Sequence, residues 1–435
     1  MSVPSRPATI VVNRVGETAR RRVLRQAGLA ALATSSAGLP GCVLGPGAAS
    51  ASASAPPWQP SPAFLDDLPR LMRACQVPGI AVATLHRGEL AWQHVEGLAN
   101  AQTAAPVTAG SMFEAASLSK PVLAWLALRL VQAGQLDLDQ PLIGLLRPAD
   151  LADDAQLAKV TAREVLRHTS GLPNWRRQPM TERLATAFVP GSRVGYSGEA
   201  YFWLQRVMEQ EAGVSLDTLA QRWLWGPAGL QDSSFTWDDA LAQRAVQGHA
   251  AAAAGPLRPL PPQGYQRRWA AAAPLARRWG LPLRQWRWAE AQRAWDELGP
   301  AVPSDVLAWP GDLMANGAAS LRCTAADYAR FLRVLMPAAE GPRLSPALQA
   351  LYTQAQVETR PEWGYKSLGW NLELTRSGPV LHHAGNNANQ FRALAVAEPG
   401  SGRAIVVLTN GGGGATVCQH LVRAATGLDL LAFEP

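Results

Sequence analysis

Strand patterns lie near the two ends of this 435-residue chain and helical patterns fill its middle, and no other feature constrains the fold as strongly. Gly79 to Leu85 and Glu89 to Val95 read as two strands about the turn His86-Arg87-Gly88. Pro379 to His383, Gln390 to Ala397 and Arg403 to Thr409 read as three more, with turns at Pro399-Gly400 and Gly402. From Pro121 to about Leu335 apolar residues recur at helical spacing, as in Ala200 to Gly213 and Ala325 to Leu335. The expectation is an α+β body: one antiparallel sheet built from both chain ends and flanked by helices, with a mostly helical lobe inserted over about 122–310. A content of 48% hydrophobic and 17% charged residues supplies the core such a body needs.

The segment before this body has a different character. Arg20-Arg21-Arg22-Val23-Leu24-Arg25 precedes the apolar and small stretch Ala27 to Leu39, the basic-then-apolar order of an export signal of twin-arginine type over 1–42. Leu39-Pro40-Gly41-Cys42 resembles a lipobox, in which Cys42 would carry a lipid anchor after cleavage. Residues 43–61, rich in Ala, Ser and Pro, read as a flexible tether, which leaves 62–433 as the folded domain. A periplasmic or otherwise exported location follows. No apolar run reaches the roughly 20 residues of a membrane-spanning helix.

The net charge of +7 suggests an anionic partner until it is located. Residues 1–42 hold six arginines against one acid, so +5 of the net charge lies outside the body. The nearly neutral remainder argues against nucleic-acid binding, which depends largely on phosphate electrostatics. Only three lysines occur, Lys120, Lys159 and Lys366, so a lysine inside a motif is informative. Cys75, Cys323 and Cys418 lack metal-type spacing and read as small buried hydrophobes. Between Tyr265 and Trp309 six tryptophans alternate with seven arginines. They could line a substrate groove through cation–π contacts or form a covering flap on the helical lobe.

Ser117-Leu118-Ser119-Lys120 opens a helix of mainly apolar residues that ends at Gly134. Pro121 suits its first turn and Gly134 its C-terminal end. Ser117 and Lys120, three apart, share a face, so the amine can reach the hydroxyl. A serine hydroxyl becomes a useful nucleophile only when a base takes its proton. A lysine serves as that base if its pKa falls by about three units, and an apolar helix supplies the necessary desolvation.

Further motifs accompany it in order. Phe113-Glu114-Ala115-Ala116-Ser117-Leu118-Ser119-Lys120-Pro121 is followed by Leu166-Arg167-His168-Thr169-Ser170-Gly171-Leu172-Pro173 and Tyr196-Ser197-Gly198. Leu321-Arg322-Cys323-Thr324-Ala325-Ala326-Asp327 and His383-Ala384-Gly385 complete the series. The sequence resembles the serine β-lactamase-related family, which includes class C β-lactamases, D-alanyl-D-alanine carboxypeptidases and β-lactamase-like esterases. The resemblance spans roughly residues 62–430 and implies catalytic roles for Ser117, Lys120, Tyr196 and His383. Ser117 would be acylated, Lys120 its general base, and Tyr196 a proton relay. His383 stands where relatives carry the lysine or histidine of the last motif.

The same resemblance implies that Gly385, Asn386 and Gly198 bind substrate. Asn386 would contribute a backbone N–H to an oxyanion hole with that of Ser117. Gly198 occupies the position of the family's asparagine, which removes an amide that would contact the substrate. Ala319-Ser320 and Gln390-Phe391 are further departures from the usual pattern. His168 and Ser170 read as parts of a turn.

The expected activity is hydrolysis of an ester or amide through a covalent acyl-serine, without metal or organic cofactor. Peptidoglycan-derived peptides, β-lactams and small esters are the substrate candidates. Neither a metal-binding HExxH nor a Gly-x-Ser-x-Gly elbow is present. The rival reading is a non-catalytic cell-envelope binding or scaffold protein that keeps the penicillin-binding fold.

Overall fold

A computed structural model describes residues 56–250, 264–299, 302–303, 305–337 and 339–430. The expected export signal, including Cys42, and the tether as far as residue 55 lie outside the described residues. Trp58, within the stretch read as tether, is buried against the sheet, and the Arg403 guanidinium lies 5.0 Å from its ring. The packed body therefore includes residues ahead of 62.

The first strands, β1 (Gly79–His86) and β2 (Glu89–Asn100), form a hairpin. Its two turn residues, Arg87 and Gly88, both have positive φ (54° and 78°), as a turn matching the strand twist requires. A short β3 (Ala105–Pro106) pairs with β2. The segments β4 (Phe113–Glu114), β5 (Ser233–Ser234) and β6 (Arg322–Cys323) make a separate three-stranded sheet. The C-terminal part supplies β7 (Val357–Arg360), β8 (Gly364–Lys366), β9 (Asn371–Thr375), β10 (Gly378–Asn387), β11 (Phe391–Glu398) and β12 (Arg403–Thr409).

Among the described residues the main sheet has nine strands in the order β3-β2-β1-β12-β11-β10-β9-β8-β7. The chain ends are joined where β1 runs antiparallel to β12, from Ile80 opposite Thr409 to Leu85 opposite Ala404. The five expected strands are all present. The pattern did not announce β7 to β9, because two of these strands are only three and four residues long and β7 is largely exposed, leaving no apolar alternation to read.

Alternation assigns the two faces of the sheet. Ala81, Ala83, Ala395 and Val406 point toward the helical lobe, whereas Ile80, Val82, Val396 and Val407 point to the opposite side. There they meet α1 (Pro62–Ala74) and the C-terminal helix Gly414–Thr426. The lobe is organised around α2 (Ser119–Gln132), which is buried along nearly its whole length. This helix stops where Gly134 takes φ +70° and the Gln135 N–H donates to the Leu130 carbonyl at 2.9 Å. Beside it runs α3 (Gly198–Ala212), capped by Ser197 and ended by left-handed Gly213.

The tryptophan-rich segment divides between its two expected roles. Its helices, α4 (Gly264–Trp279) and α5 (Trp288–Leu298), pack as a flap on the lobe around Trp286, Leu275, Ala291 and Phe202. Two arginine–tryptophan contacts belong to this packing, Arg206 at 3.7 Å from the Trp288 ring and Arg293 at 4.1 Å from that of Trp279. Among the segment's described residues only Gly264, Tyr265, Arg267 and Arg268, at the start of α4, and Trp309 reach the cavity described below. Cys323 and Cys418 are buried and Cys75 half-buried.

Gly369 sets how closely α2 approaches the sheet edge. Its φ is +101°, its N–H donates to the Leu166 carbonyl at 2.9 Å, and an added Cβ would lie 2.5 Å from the Ala124 methyl. Gly369→Ala should therefore lose about 2–5 kcal/mol in urea unfolding, combining backbone strain with overpacking. Gly400→Ala, where an added methyl meets nothing within 4 Å, should stay within about 0.5 kcal/mol of wild type.

Candidate active site

Ser117 sits on a strained turn between β4 and α2. Ala116 just before it has φ +51°, unusual for a residue with a side chain, and the turn is held from several sides. The Ala115 N–H donates to the Leu321 carbonyl at 2.9 Å, the Tyr328 hydroxyl to that of Leu118 at 3.0 Å, and the Ser119 hydroxyl to that of Ala116 at 2.6 Å. Behind the turn the Glu114 carboxylate meets Arg322, which is 1% exposed, at 3.2 Å and accepts from the Asn387 amide at 2.6 Å. These contacts fix the serine at the head of α2.

Lys120 lies one helical turn further on. Its Nζ is 3.2 Å from Ser117 Oγ and donates to the Ala318 carbonyl at 2.8 Å. The residue is 1% exposed, and burial, assisted by the nearby charge of Lys366, lowers its pKa to about 7. At neutral pH a large share of this amine is therefore unprotonated and able to accept a proton.

Tyr196 precedes α3, with its ring 4.6 Å from Lys120 Nζ. Burial pushes its phenol up to about 12, although a hydrogen bond with the Ser117 side chain opposes the shift. Its ring stacks on His168 at 4.4 Å between centroids, and His168 Nδ1 accepts from the Ser197 N–H at 3.2 Å. Burial holds the His168 imidazole well below its usual range, so it is neutral and suited to accept that bond. His168 thus braces the tyrosine loop, and the Ser170 hydroxyl accepts from the Leu172 N–H within the same turn.

On β10, His383 faces Tyr196 with ring centroids 6.5 Å apart. It is buried and held well below the usual histidine range, chiefly by desolvation. Its Nδ1 is 2.9 Å from the Ala384 carbonyl, which puts the proton on Nδ1 and leaves Nε2 as an acceptor. His382 instead pairs with Glu373 on β9 at 3.3 Å. An added Cβ at Gly385 would be 2.6 Å from the Ala115 carbonyl oxygen, so the absence of a side chain lets β10 pass close to the Ser117 turn. Asn386, next along, borders the same cavity, and its side-chain amide exchanges hydrogen bonds with Asn389.

The cavity holding these groups measures about 1160 Å³. Ser117, Lys120, Tyr196, His383, Gly385 and Asn386 all border it. Gly198 does not; it begins α3 behind Asn174 and Trp175, which do. Among the bordering residues that were not anticipated from the sequence are Lys366 and Trp175. Lys366 ends β8, bonds to the Asn371 side chain and lies 5.9 Å from the Tyr196 ring centroid. Burial lowers its pKa to about 8, so most of it stays charged at neutral pH, and among the described residues no carboxylate forms an ion pair with it. Its rarity as a residue type was the available signal. No group of three His, Cys, Asp or Glu side chains that could hold a metal ion occurs among the described residues.

Comparison with known proteins agrees with this geometry. The family model described as Beta-lactamase matches residues 64–426. Penicillin-binding protein 4 of Amycolatopsis lactamdurans is 28% identical over 373 residues, spanning 81% of this chain and 85% of the relative. Esterase EstB of Burkholderia gladioli is 27% identical over 341 residues, spanning 71% and 79%. In fold, a solved class C beta-lactamase superposes with a TM-score of 0.60 at 17% identity, covering 85% of this chain and 97% of that one. A family match running from α1 into the C-terminal helix, with the sheet order and the motifs around Ser117, means that this chain belongs to the beta-lactamase family of serine hydrolases.

Proposed function

We propose that the protein hydrolyses an ester or amide through a covalent acyl-serine intermediate at Ser117. The observation that carries this reading is the Lys120 amine, almost wholly buried, 3.2 Å from the serine hydroxyl and lowered to about 7. Ser117 Oγ attacks the substrate carbonyl carbon while its proton passes to Lys120, giving a tetrahedral oxyanion. The backbone N–H groups of Ser117 and Asn386 are the proposed oxyanion donors.

Collapse of the tetrahedral species breaks the bond to the leaving alcohol or amine, which takes a proton through Tyr196. Tyr196 suits donation rather than initial abstraction, because its phenol near 12 stays protonated at neutral pH. His383 Nε2, left free to accept, orients the leaving group or the tyrosine hydroxyl. Water then attacks the acyl-serine by the reverse proton path, releasing the acid and restoring Ser117. The basic-then-apolar order of residues 20–39 supports a site of action outside the cytoplasm, with Cys42 as the residue available for lipidation.

A non-catalytic envelope protein is the alternative. The joint presence of Ser117, Lys120 and Tyr196 in one cavity favours the enzyme, since a scaffold has no need of a neutral lysine against a serine. A fluorophosphonate probe or fluorescent penicillin should label the purified protein, and Ser117→Ala should abolish the label. Absence of labelling together with no turnover of a p-nitrophenyl ester, a cephalosporin or a D-Ala-D-Ala peptide would favour the scaffold.

The pH dependence has a definite sign. The base form of Lys120 is the neutral one, so kcat/KM should rise with pH through about 7. The Lys366 charge is one of the two influences lowering that value. Lys366→Met removes it, so Lys120 should hold its proton to higher pH and the acidic limb should move upward. A pH–rate profile of the variant with an unchanged limb would contradict the proposed base.

A further inference from the structure

We propose that Trp175 is a specificity-determining residue, a fixed aromatic wall that packs against a planar apolar ring of the substrate; this rests on the serine hydrolase reading above. The argument begins with Gly198, the glycine at the head of α3. Its φ is not positive, so its backbone does not demand glycine. Space does. A Cβ there would fall 2.2 Å from Trp175 Cζ2 and 2.4 Å from Cε2, because the indole lies directly on the glycine. The motif residue two positions after Tyr196 thus lacks a side chain, and a tryptophan from another segment occupies that space.

The backbone on either side of Trp175 is anchored. Asn174 accepts from the Gly198 N–H through its side-chain oxygen at 3.0 Å and from the Glu199 N–H through its carbonyl at 2.9 Å. Arg176 donates its backbone N–H to Glu199 at 3.0 Å and its guanidinium to both oxygens of that carboxylate at 2.9 and 3.1 Å. Asp150 holds the same guanidinium at 2.7 Å. The Arg176 and Glu199 side chains are almost fully buried, so Trp175 is held between two rigid neighbours.

Despite this support Trp175 is 41% exposed, and it borders the cavity that contains Ser117. Covering a large aromatic surface that is open at a cavity with an apolar ring is favourable. Holding it rigid in advance lowers the entropy lost when a ring is seated. Trp309 and Tyr265 border the same cavity, giving further aromatic surface. A polar side chain at Gly198 would instead offer hydrogen bonds to an amide. The pocket therefore fits a substrate that carries an aromatic ring rather than one recognised through an amide at this wall.

The test compares kcat/KM by pH-stat titration for two ester pairs, vinyl phenylacetate against vinyl acetate and benzyl acetate against ethyl acetate. The first pair places the ring on the acyl side, the second on the alcohol side. Trp175→Ala should lower the aromatic-to-aliphatic ratio roughly tenfold in one of the pairs, about the size of one ring contact, and Trp175→Phe should restore most of it. Ratios unchanged in both pairs overturn the proposal. Gly198→Ala displaces the indole without deleting it, so it should shift the same ratio in the same direction, which a general folding defect would not do.

Should the protein hydrolyse none of the four esters and resist fluorophosphonate, the hydrolase reading has failed, and the wall is read by binding alone. Saturation-transfer NMR of ethyl phenylacetate with Ser117→Ala should then show phenyl-proton contacts that disappear when Trp175→Ala is added. Equal signals in the two proteins overturn the proposal on that route.

Discussion

Withdrawal of one amine from water is the interaction on which the rest of this structure depends. Lys120 is buried because α2, itself apolar on almost every side, is enclosed by the lobe and by the lobe-facing surface of the sheet. Removing a charge from water disfavours the charged form, and this brings Lys120 to about 7 while it remains 3.2 Å from the serine. Much of the surrounding architecture serves to keep that arrangement intact. The β1–β12 pairing joins the two chain ends into one sheet, and Gly385 lets β10 come against the Ser117 turn without a side chain between them.

The charges around the cavity divide the proton chemistry among their owners. Tyr196 stays protonated, His168 and His383 stay neutral, and Lys120 stands near its midpoint at neutral pH. Lys366 remains mostly cationic and contributes to this division, since its charge opposes protonation of Lys120, His168 and His383 alike. In the proposed mechanism, a single base between a proton donor and two neutral imidazoles suits ordered transfer, because the groups do not compete for the same proton. The buried Glu114–Arg322 pair behind the serine adds rigidity, and Arg322 also lies between the rings of Trp237 and Tyr265 at 4.6 and 4.4 Å. Through Tyr265 this pair ties the tryptophan-rich flap to the Ser117 turn.

That flap shows why composition predicts less than position. Six tryptophans and seven arginines in one segment suggested either a groove or a cover, and the segment is mostly cover, since Trp286, Trp279 and Trp288 are occupied by packing within the lobe. Only its ends reach the cavity. Trp175, an aromatic residue that borders the cavity with Ser117, comes from a different segment with no unusual composition. Its position follows from its approach to Gly198 and from the anchoring of the adjacent Arg176 by Glu199 and Asp150, residues distant in sequence that meet only in the folded chain.

The sequence by itself determined the fold class, the union of the chain ends in one sheet, the helix bearing Ser117 and Lys120, and the order of motifs that identifies the family. These are encoded locally: strands and helices announce themselves by periods of 2 and 3.6 residues, and a hydroxyl and an amine three apart on a helix must lie close. Tertiary structure decided the features that depend on long-range approach. The strands β7 to β9 are too short or exposed to show a period, yet they carry Lys366 and Asn371 to the cavity. Gly198 read as a missing amide and proved to be the space an indole fills, because the atom that excludes a side chain there belongs to a residue 23 positions earlier. Local pattern cannot report such contacts, since they arise only when segments remote in the chain are pressed together by a shared core.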